Sequence, residues 1–169
     1  MIEPHKDSVD VDFLSVNDIE LAATVAVQRR ISAMRNRHGS TYGMGRSNLF
    51  QSDIDGCIAE LAIAKYTGQE WDCGNMPKQG DVGTDEVRST NYLNGKLIVH
   101  PKDNDDAVFW LVTGQHGDEF GGLKIRGWLY GRECKREHWW SDFKNNGRFA
   151  YCVPQTHLNK AAERACSNA

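Results

Sequence analysis

The chain has 169 residues, of which 20 are Lys or Arg and 23 are Asp or Glu, giving a formal net charge of −3. With 40% apolar and 25% charged residues, it has the composition of an ordinary globular domain, which excludes a wholly disordered protein. The weakly acidic charge also excludes a protein that coats DNA by electrostatic attraction alone. No apolar run approaches the roughly 18 residues of a membrane helix, and the polar N-terminus does not resemble a signal peptide. We therefore expect a cytoplasmic protein without a membrane partner.

The cysteines give no sign of a zinc site or a disulfide framework. They number five, they are widely spaced, and no two form a CxxC pair: Cys57, Cys73, Cys134, Cys152 and Cys166. This pattern predicts free thiols in a reducing compartment.

Residues 1–14 read as an N-terminal tail, and residues 15–169 as a single domain. Ser15 and Asp18 have the spacing of a capping box and are followed by apolar residues at helical intervals, so a first helix is predicted to begin there. Gly39 is its expected stop.

A second helix is predicted to begin after Ser52, because Ser52 and Asp55 repeat the capping-box spacing. Its residues are apolar or small on nearly every side up to Gly68, which predicts a helix buried on most of its surface. The Gly- and Ser-rich segment 39–48 between the two helices is predicted to be a loop.

The rest of the chain reads mainly as strands. Asn94-Gly95 has the signature of a tight turn, so Glu86–Tyr92 and Lys96–His100 are predicted to pair as a hairpin. Further strands are expected at Phe109–Val112, Leu123–Tyr130 and Ala150–Val153, with a short helix possible in residues 132–146 and another in residues 155–169. The expected fold class is α/β (α+β), with a central mixed sheet flanked by helices.

Glu60 stands out because it lies in the apolar second helix, between Ala59 and Leu61. An unpaired carboxylate buried there would be costly. The residue either faces solvent, pairs with an arginine, or belongs to a functional site.

Asp81, Glu86 and Arg88 favour a functional site. In a strand, Glu86 and Arg88 project from the same face, and Asp81 precedes them at a glycine-flanked bend. Carboxylates at one end of a strand suit a hard divalent cation, and a nearby arginine can stabilise charge that develops on a phosphate.

This pattern resembles the PD-(D/E)XK nuclease superfamily, in which a helix Glu precedes an Asp and a Glu-x-Lys strand. The chain also resembles small tailed-phage proteins in six segments: IAELAIAKYTG, DVGTDEVRST, GKLIVHPKDNDD, FWLVTG, IRGWLYG and AYCVPQTHL. The resemblance implies a restriction-endonuclease-like core and hydrolysis of nucleic acid in the cytoplasm of a phage host. DNA is favoured as the substrate, and RNA stays open as the alternative. It also implies Mg²⁺ or Mn²⁺ held by Glu60, Asp81 and Glu86.

One position departs from the superfamily pattern, because Arg88 replaces the catalytic lysine. Arginine stays protonated and cannot act as a base. Lys102 is a candidate replacement if a bulge turns it towards Glu86 across the predicted hairpin. Asp103 would then share the face of Glu86 and either help to hold metal or pair with Arg88.

Other residues give weaker indications. Arg35, Arg37 and Arg46 are candidate phosphate contacts, although a basic helix end also explains part of that cluster. Trp139 and Trp140 could stack on bases or close the end of a core. The alternative to an active nuclease is a nuclease fold that only binds nucleic acid or protein, which the change to Arg88 favours. The oligomeric state is left open, a homodimer included.

Overall fold

The computed structural model describes residues 7–36, 49–73, 80–117, 122–142, 145 and 147–165. Its strands are β1 (Val9–Asp10), β2 (Glu86–Thr90), β3 (Leu97–Val99), β4 (Val108–Thr113), β5 (Lys124–Tyr130), β6 (Trp140–Ser141) and β7 (Ala150–Val153). Its helices are α1 (Val16–Arg35), α2 (Leu49–Thr67), α3 (Gly131–Cys134) and α4 (Ala161–Ala165), with 3₁₀ turns at Glu137–Trp139 and Gln155–His157.

The strands form two sheets. One has the order β1-β5-β4-β2, in which β2 runs parallel to β4 and the other pairs are antiparallel. The other has the order β3-β7-β6 and is antiparallel. The predicted fold class, helices packed on a mixed sheet, is therefore confirmed. The restriction-endonuclease-like core stays a prediction.

The first helix begins where the sequence predicts. The Ser15 side chain accepts a hydrogen bond from the backbone of Asp18, and the Asp18 carboxylate accepts one from the backbone of Ser15. Helix α1 ends at Arg35, with Asn36 as its cap. The predicted stop, Gly39, lies outside the described residues.

The second helix begins earlier than predicted. Helix α2 starts at Leu49, so Ser52 lies inside it and the prediction of a cap at Ser52 is wrong. Serine and aspartate favour helix caps but also occur inside helices, so their spacing alone does not fix where a helix begins. The predicted end is confirmed, since α2 stops at Thr67 and Gly68 has a φ of 68°. Burial on most sides is also confirmed from Cys57 to Ala64.

Strand β4 lies at the centre of the molecule and is buried along its whole length. Trp110 and Val112 on one of its faces belong to a core cluster with side chains of α1, α2 and the neighbouring strands, including Val87 of β2 and Ile125 of β5. Phe109 and Leu111 on its other face belong to a second cluster with side chains of the antiparallel sheet: Leu97 and Val99 of β3 and Val153 of β7. The order of layers is helices, mixed sheet, antiparallel sheet.

The predicted hairpin across Asn94-Gly95 is wrong. Strand β2 pairs with β4, and β3 leaves for the second sheet, where it pairs with β7. The chain does turn near this point, but one residue earlier than predicted, because the bond from Gly95 N to Tyr92 O at 2.9 Å closes a turn centred on Leu93 and Asn94. However, a tight turn fixes only the local reversal of the chain, and the apolar side chains of Leu97 and Val99 are buried by the second sheet.

Part of the segment predicted as a tail joins the fold. Val9 and Asp10 pair with β5, and Val11 and Leu14 are buried. The cysteines in the described part of the chain are thiols rather than disulfides. In that same part, no helix is both long and apolar enough to cross a membrane.

Candidate functional site

Glu60 on α2 is paired with an arginine, one of the alternatives that the sequence left open. The carboxylate accepts hydrogen bonds from Arg29 Nη1 at 2.9 and 3.1 Å and from Trp71 Nε1 at 2.9 Å. Burial opposes the charge on Arg29, but the negative charges of Glu60 and, to a smaller extent, Asp81 hold its pKa above its usual value. The Glu60–Arg29 pair therefore lies within electrostatic reach of Asp81.

A tight turn places Asp81 at the head of β2. The backbone N–H groups of Asp81 and Val82 donate to Asp85 O at 2.8 and 3.1 Å. A side chain at Gly80 would come within 2.7 Å of the Thr84 backbone, so this bend requires glycine. The Asp81 carboxylate accepts a hydrogen bond from Val87 N at 2.9 Å, which turns it back over the start of β2.

Asp85 anchors this turn to the interior and was not foreseen from the sequence. Its side chain is 1% exposed and forms a two-pronged ion pair with Arg164 on α4, at 2.8 and 3.1 Å. Trp110 Nε1 donates to the same carboxylate at 3.0 Å. The run Thr84-Asp85-Glu86 looks like a solvated turn, and nothing in it indicates a partner 79 residues away.

Arg88 is the centre of a group of acidic side chains. Its Nη1 lies 3.1 Å from Glu86 Oε2 and 4.0 Å from Asp81 Oδ2, and its Nη2 lies 3.0 Å from Asp103 Oδ2. Its Cζ lies 5.0 Å from the centre of the Phe109 ring. Pairing between Arg88 and Asp103 was one of the sequence alternatives, and it is observed.

Three carboxylates around one guanidinium leave an excess of negative charge. Burial raises the pKa of Glu86, and the charge of Asp81 raises it further, despite the attraction of Arg88. The ionised form of Glu86 is therefore disfavoured until an additional positive charge arrives.

The acidic group opens into a cleft of about 620 Å³ between β2 and the second sheet. Glu86 and Arg88 line one wall, and Lys96, Ile98 and His100 line the other. Burial lowers the pKa of His100. The backbone N–H of His100 donates to the Asp103 carboxylate at 2.9 Å, which joins the two walls at one end of the cleft.

Three of the predicted site residues in the described part of the chain do not line this cleft: Glu60, Lys102 and Arg35. Lys102 is exposed and does not line it, so the hypothesis that a bulged hairpin brings Lys102 to Glu86 is wrong, because that hairpin does not form. Arg35 is exposed at the end of α1. Arg37 and Arg46 lie outside the described residues.

The donor chemistry at Asp81 and Glu86 fits a hard divalent cation. Among residues 7–36, 49–73, 80–117 and the other described ranges, no group of three or more His, Cys, Asp and Glu side chains is arranged to hold a metal ion. Mg²⁺, however, usually takes one or two protein carboxylates and completes its shell with water and substrate phosphate. Asp81 and Glu86 supply that number of carboxylates beside an open cleft.

Comparisons with protein-family models, with curated proteins and with solved structures gave no match to this chain.

Proposed function

We propose that this protein is a divalent-metal-dependent nuclease that hydrolyses phosphodiester bonds of DNA in the cleft beside β2. The observation that carries the proposal is the convergence of Asp81, Glu86 and Arg88 on one cleft wall. Acidic and basic groups so close together suit a reaction in which a phosphate must be held and further negative charge must be stabilised.

Each residue has a role that its surroundings support. Asp81 and Glu86 would hold Mg²⁺ or Mn²⁺, which supplies Lewis-acid activation of the phosphate. Arg88 would stabilise the negative charge that develops on the phosphate oxygens, because it stays protonated and lies beside both carboxylates. Glu60 would act through its neighbours, since Arg29 and Trp71 already bind its carboxylate.

A second candidate is a protein that binds nucleic acid or another protein in this cleft without cutting. The ion pairs of Arg88 with Glu86 and Asp103 favour it, because they compensate part of the charge that a metal would otherwise neutralise. In this case the acidic group is a structural network, and breaking it should destabilise the fold.

Cleavage of plasmid and of single-stranded DNA, with Mg²⁺, Mn²⁺ or a chelator, tests the proposal. The wild type should cut only with metal, and Asp81→Asn and Glu86→Gln should abolish cutting. Asp106→Asn is the matched control, because its carboxylate is 83% exposed and pairs with Arg132 away from the cleft. It should cut like the wild type.

Thermal melts of the same proteins separate the two candidates. A ligand at 100 times its Kd stabilises the folded state by about 2.7 kcal/mol, so saturating Mn²⁺ should raise the Tm of the wild type by roughly 5–11 °C. The Asp81 and Glu86 variants should gain less. The nuclease would be excluded if the wild type neither cut DNA nor gained stability from Mn²⁺, and if both variants were less stable than the wild type without metal. The binding protein, in which the acidic group is a structural network, would then be the remaining candidate.

A further inference from the structure

The cleft has features beyond its acidic wall that indicate which form of nucleic acid it takes. We propose that it binds a single-stranded segment, with a base stacked on Tyr92 and the phosphates contacted by Lys96 and Arg148. The inference rests on the nuclease proposal for the identity of the ligand, but its evidence comes from other residues.

The basic side chains line the cleft opposite Glu86 and Arg88. Lys96 lies on the approach to β3 and Arg148 on the approach to β7, and both are exposed and line the cleft. Cations facing a metal-binding wall across a gap complement a phosphate chain that passes between them.

Tyr92 supplies an aromatic surface at the mouth of the same cleft. Its side chain is 76% exposed although it lines the cleft, and Ile98 and Leu111 provide an apolar floor beside it. A basic groove with an exposed aromatic ring is the usual arrangement for binding single strands, because every base has a face that can stack.

The turn that carries Tyr92 is held in place from two sides. Gln155 Nε2 donates to the carbonyls of Leu93 and Gly95, both at 2.8 Å, and the buried Arg126 donates to Leu93 O at 3.1 Å. Fixing the turn before the ligand arrives reduces the entropy lost on binding. These contacts indicate a preformed platform.

The size of the cleft favours a single strand over a duplex. A volume of about 620 Å³ lies within the range of pockets that enclose one drug-sized molecule. Such a space accommodates a nucleotide or two of one strand. A paired base would also keep its faces stacked within the duplex and unavailable to Tyr92.

Fluorescence anisotropy of the full chain tests the inference, in the Asp81→Asn background so that the strand is not consumed. The probes are a labelled oligothymidylate and a blunt duplex of the same length. We expect tighter binding of the single strand, a loss of about 5- to 150-fold in Tyr92→Ala, and retention in Tyr92→Phe. Lys96→Gln should lower the slope of log K against log salt by about 0.7, the value for one contact with a single strand.

Lys160→Gln is the matched control for the loss of a positive charge, because Lys160 is exposed, pairs with Asp7 at 3.3 Å and does not line the cleft. It should leave the slope unchanged. Equal affinity in Tyr92→Ala and its parent, or a duplex bound as tightly as the single strand, would overturn the inference. So would a Tyr92→Phe variant as weak as Tyr92→Ala, or a salt slope unchanged in Lys96→Gln.

Wild-type cleavage, scored separately, distinguishes this failure from that of the nuclease proposal. Metal-dependent cutting together with Tyr92-independent binding would overturn the single-strand site and leave the nuclease. Binding that depends on Tyr92 and Lys96, without any cutting, would overturn the nuclease and leave the strand-binding cleft.

Discussion

Removing Arg164 from its ion pair with Asp85 should cost this protein a large part of its stability, because a buried carboxylate would be left without its counter-ion. Arg164→Met keeps most of the side-chain length and removes the charge, which leaves the Asp85 carboxylate at 1% exposure without its cationic partner. Removing one partner of a buried pair costs about 3–5 kcal/mol. Trp110 Nε1 still donates to Asp85 at 3.0 Å, so we expect the lower end, about 3 kcal/mol.

Arg132→Met is the matched control, because Arg132 and its partner Asp106 are 54% and 83% exposed. An exposed pair contributes about 0–1 kcal/mol. For a chain of this size 1 kcal/mol shifts the Tm by about 2–4 °C, so Arg164→Met should melt roughly 6–12 °C below the wild type and Arg132→Met at most about 4 °C below.

Urea unfolding at neutral pH, read by tryptophan fluorescence, measures both changes as free energies. A loss below about 1 kcal/mol in Arg164→Met, or equal losses in the two variants, would refute the reasoning. Either result would mean that Asp85 is compensated without Arg164, by its hydrogen bonds from Trp110 and Gln69, by water or by taking up a proton.

Three further predictions concern the site. The pKa of Glu86 is raised by burial and by Asp81, so the folded state binds that proton more tightly than the unfolded state, and the charged form costs stability at higher pH. The stability of Glu86→Gln relative to the wild type should therefore increase as the pH rises from the ordinary glutamate pKa through the raised one. Urea unfolding at several pH values measures this, and a difference in unfolding free energy that does not change with pH would contradict it. Glu60→Gln should lower the free energy of unfolding by about 1–3 kcal/mol, because Arg29 keeps its charge after its ion-pair partner is neutralised. The same urea assay measures this loss. Arg88→Ala should lose about 3 kcal/mol of transition-state stabilisation, whereas Arg88→Lys should still cut, and unchanged kcat/KM in Arg88→Ala would remove Arg88 from the reaction.

The local parts of the fold could be predicted from the sequence, because their causes are local. The capping box at Ser15, the end of α2 before Gly68 and the strand at Ala150–Val153 depend on neighbouring residues. The common face of Glu86 and Arg88 likewise follows from strand alternation alone, and their ion pair is observed.

The pairing of strands could not be predicted, because it depends on partners distant in sequence. Leu97–Val99 has only three residues, too few to show which sheet buries them. Asp85 was missed for a related reason. An aspartate in a turn is usually solvated. Asp85 is buried because Arg164 of α4, which is distant in sequence, compensates its charge and Trp110 donates a hydrogen bond to it.

The contact between Arg88 and Asp103 was anticipated from a hairpin that does not form, and its actual geometry bears on the function of Arg88. Asp103 reaches Arg88 from the turn after β3, not across a hairpin, as the hydrogen bond from His100 N to the same carboxylate demonstrates. The planar guanidinium binds Glu86 with one nitrogen and Asp103 with the other while lying over Phe109. A lysine ammonium is a single point charge and cannot keep all three contacts. If Arg88 is needed only for its positive charge, Arg88→Lys should keep cleavage and stability. If Arg88 is needed to connect the two walls of the cleft, Arg88→Lys should destabilise the fold. The effect of this one substitution on cleavage and on stability therefore separates the nuclease from the binding protein.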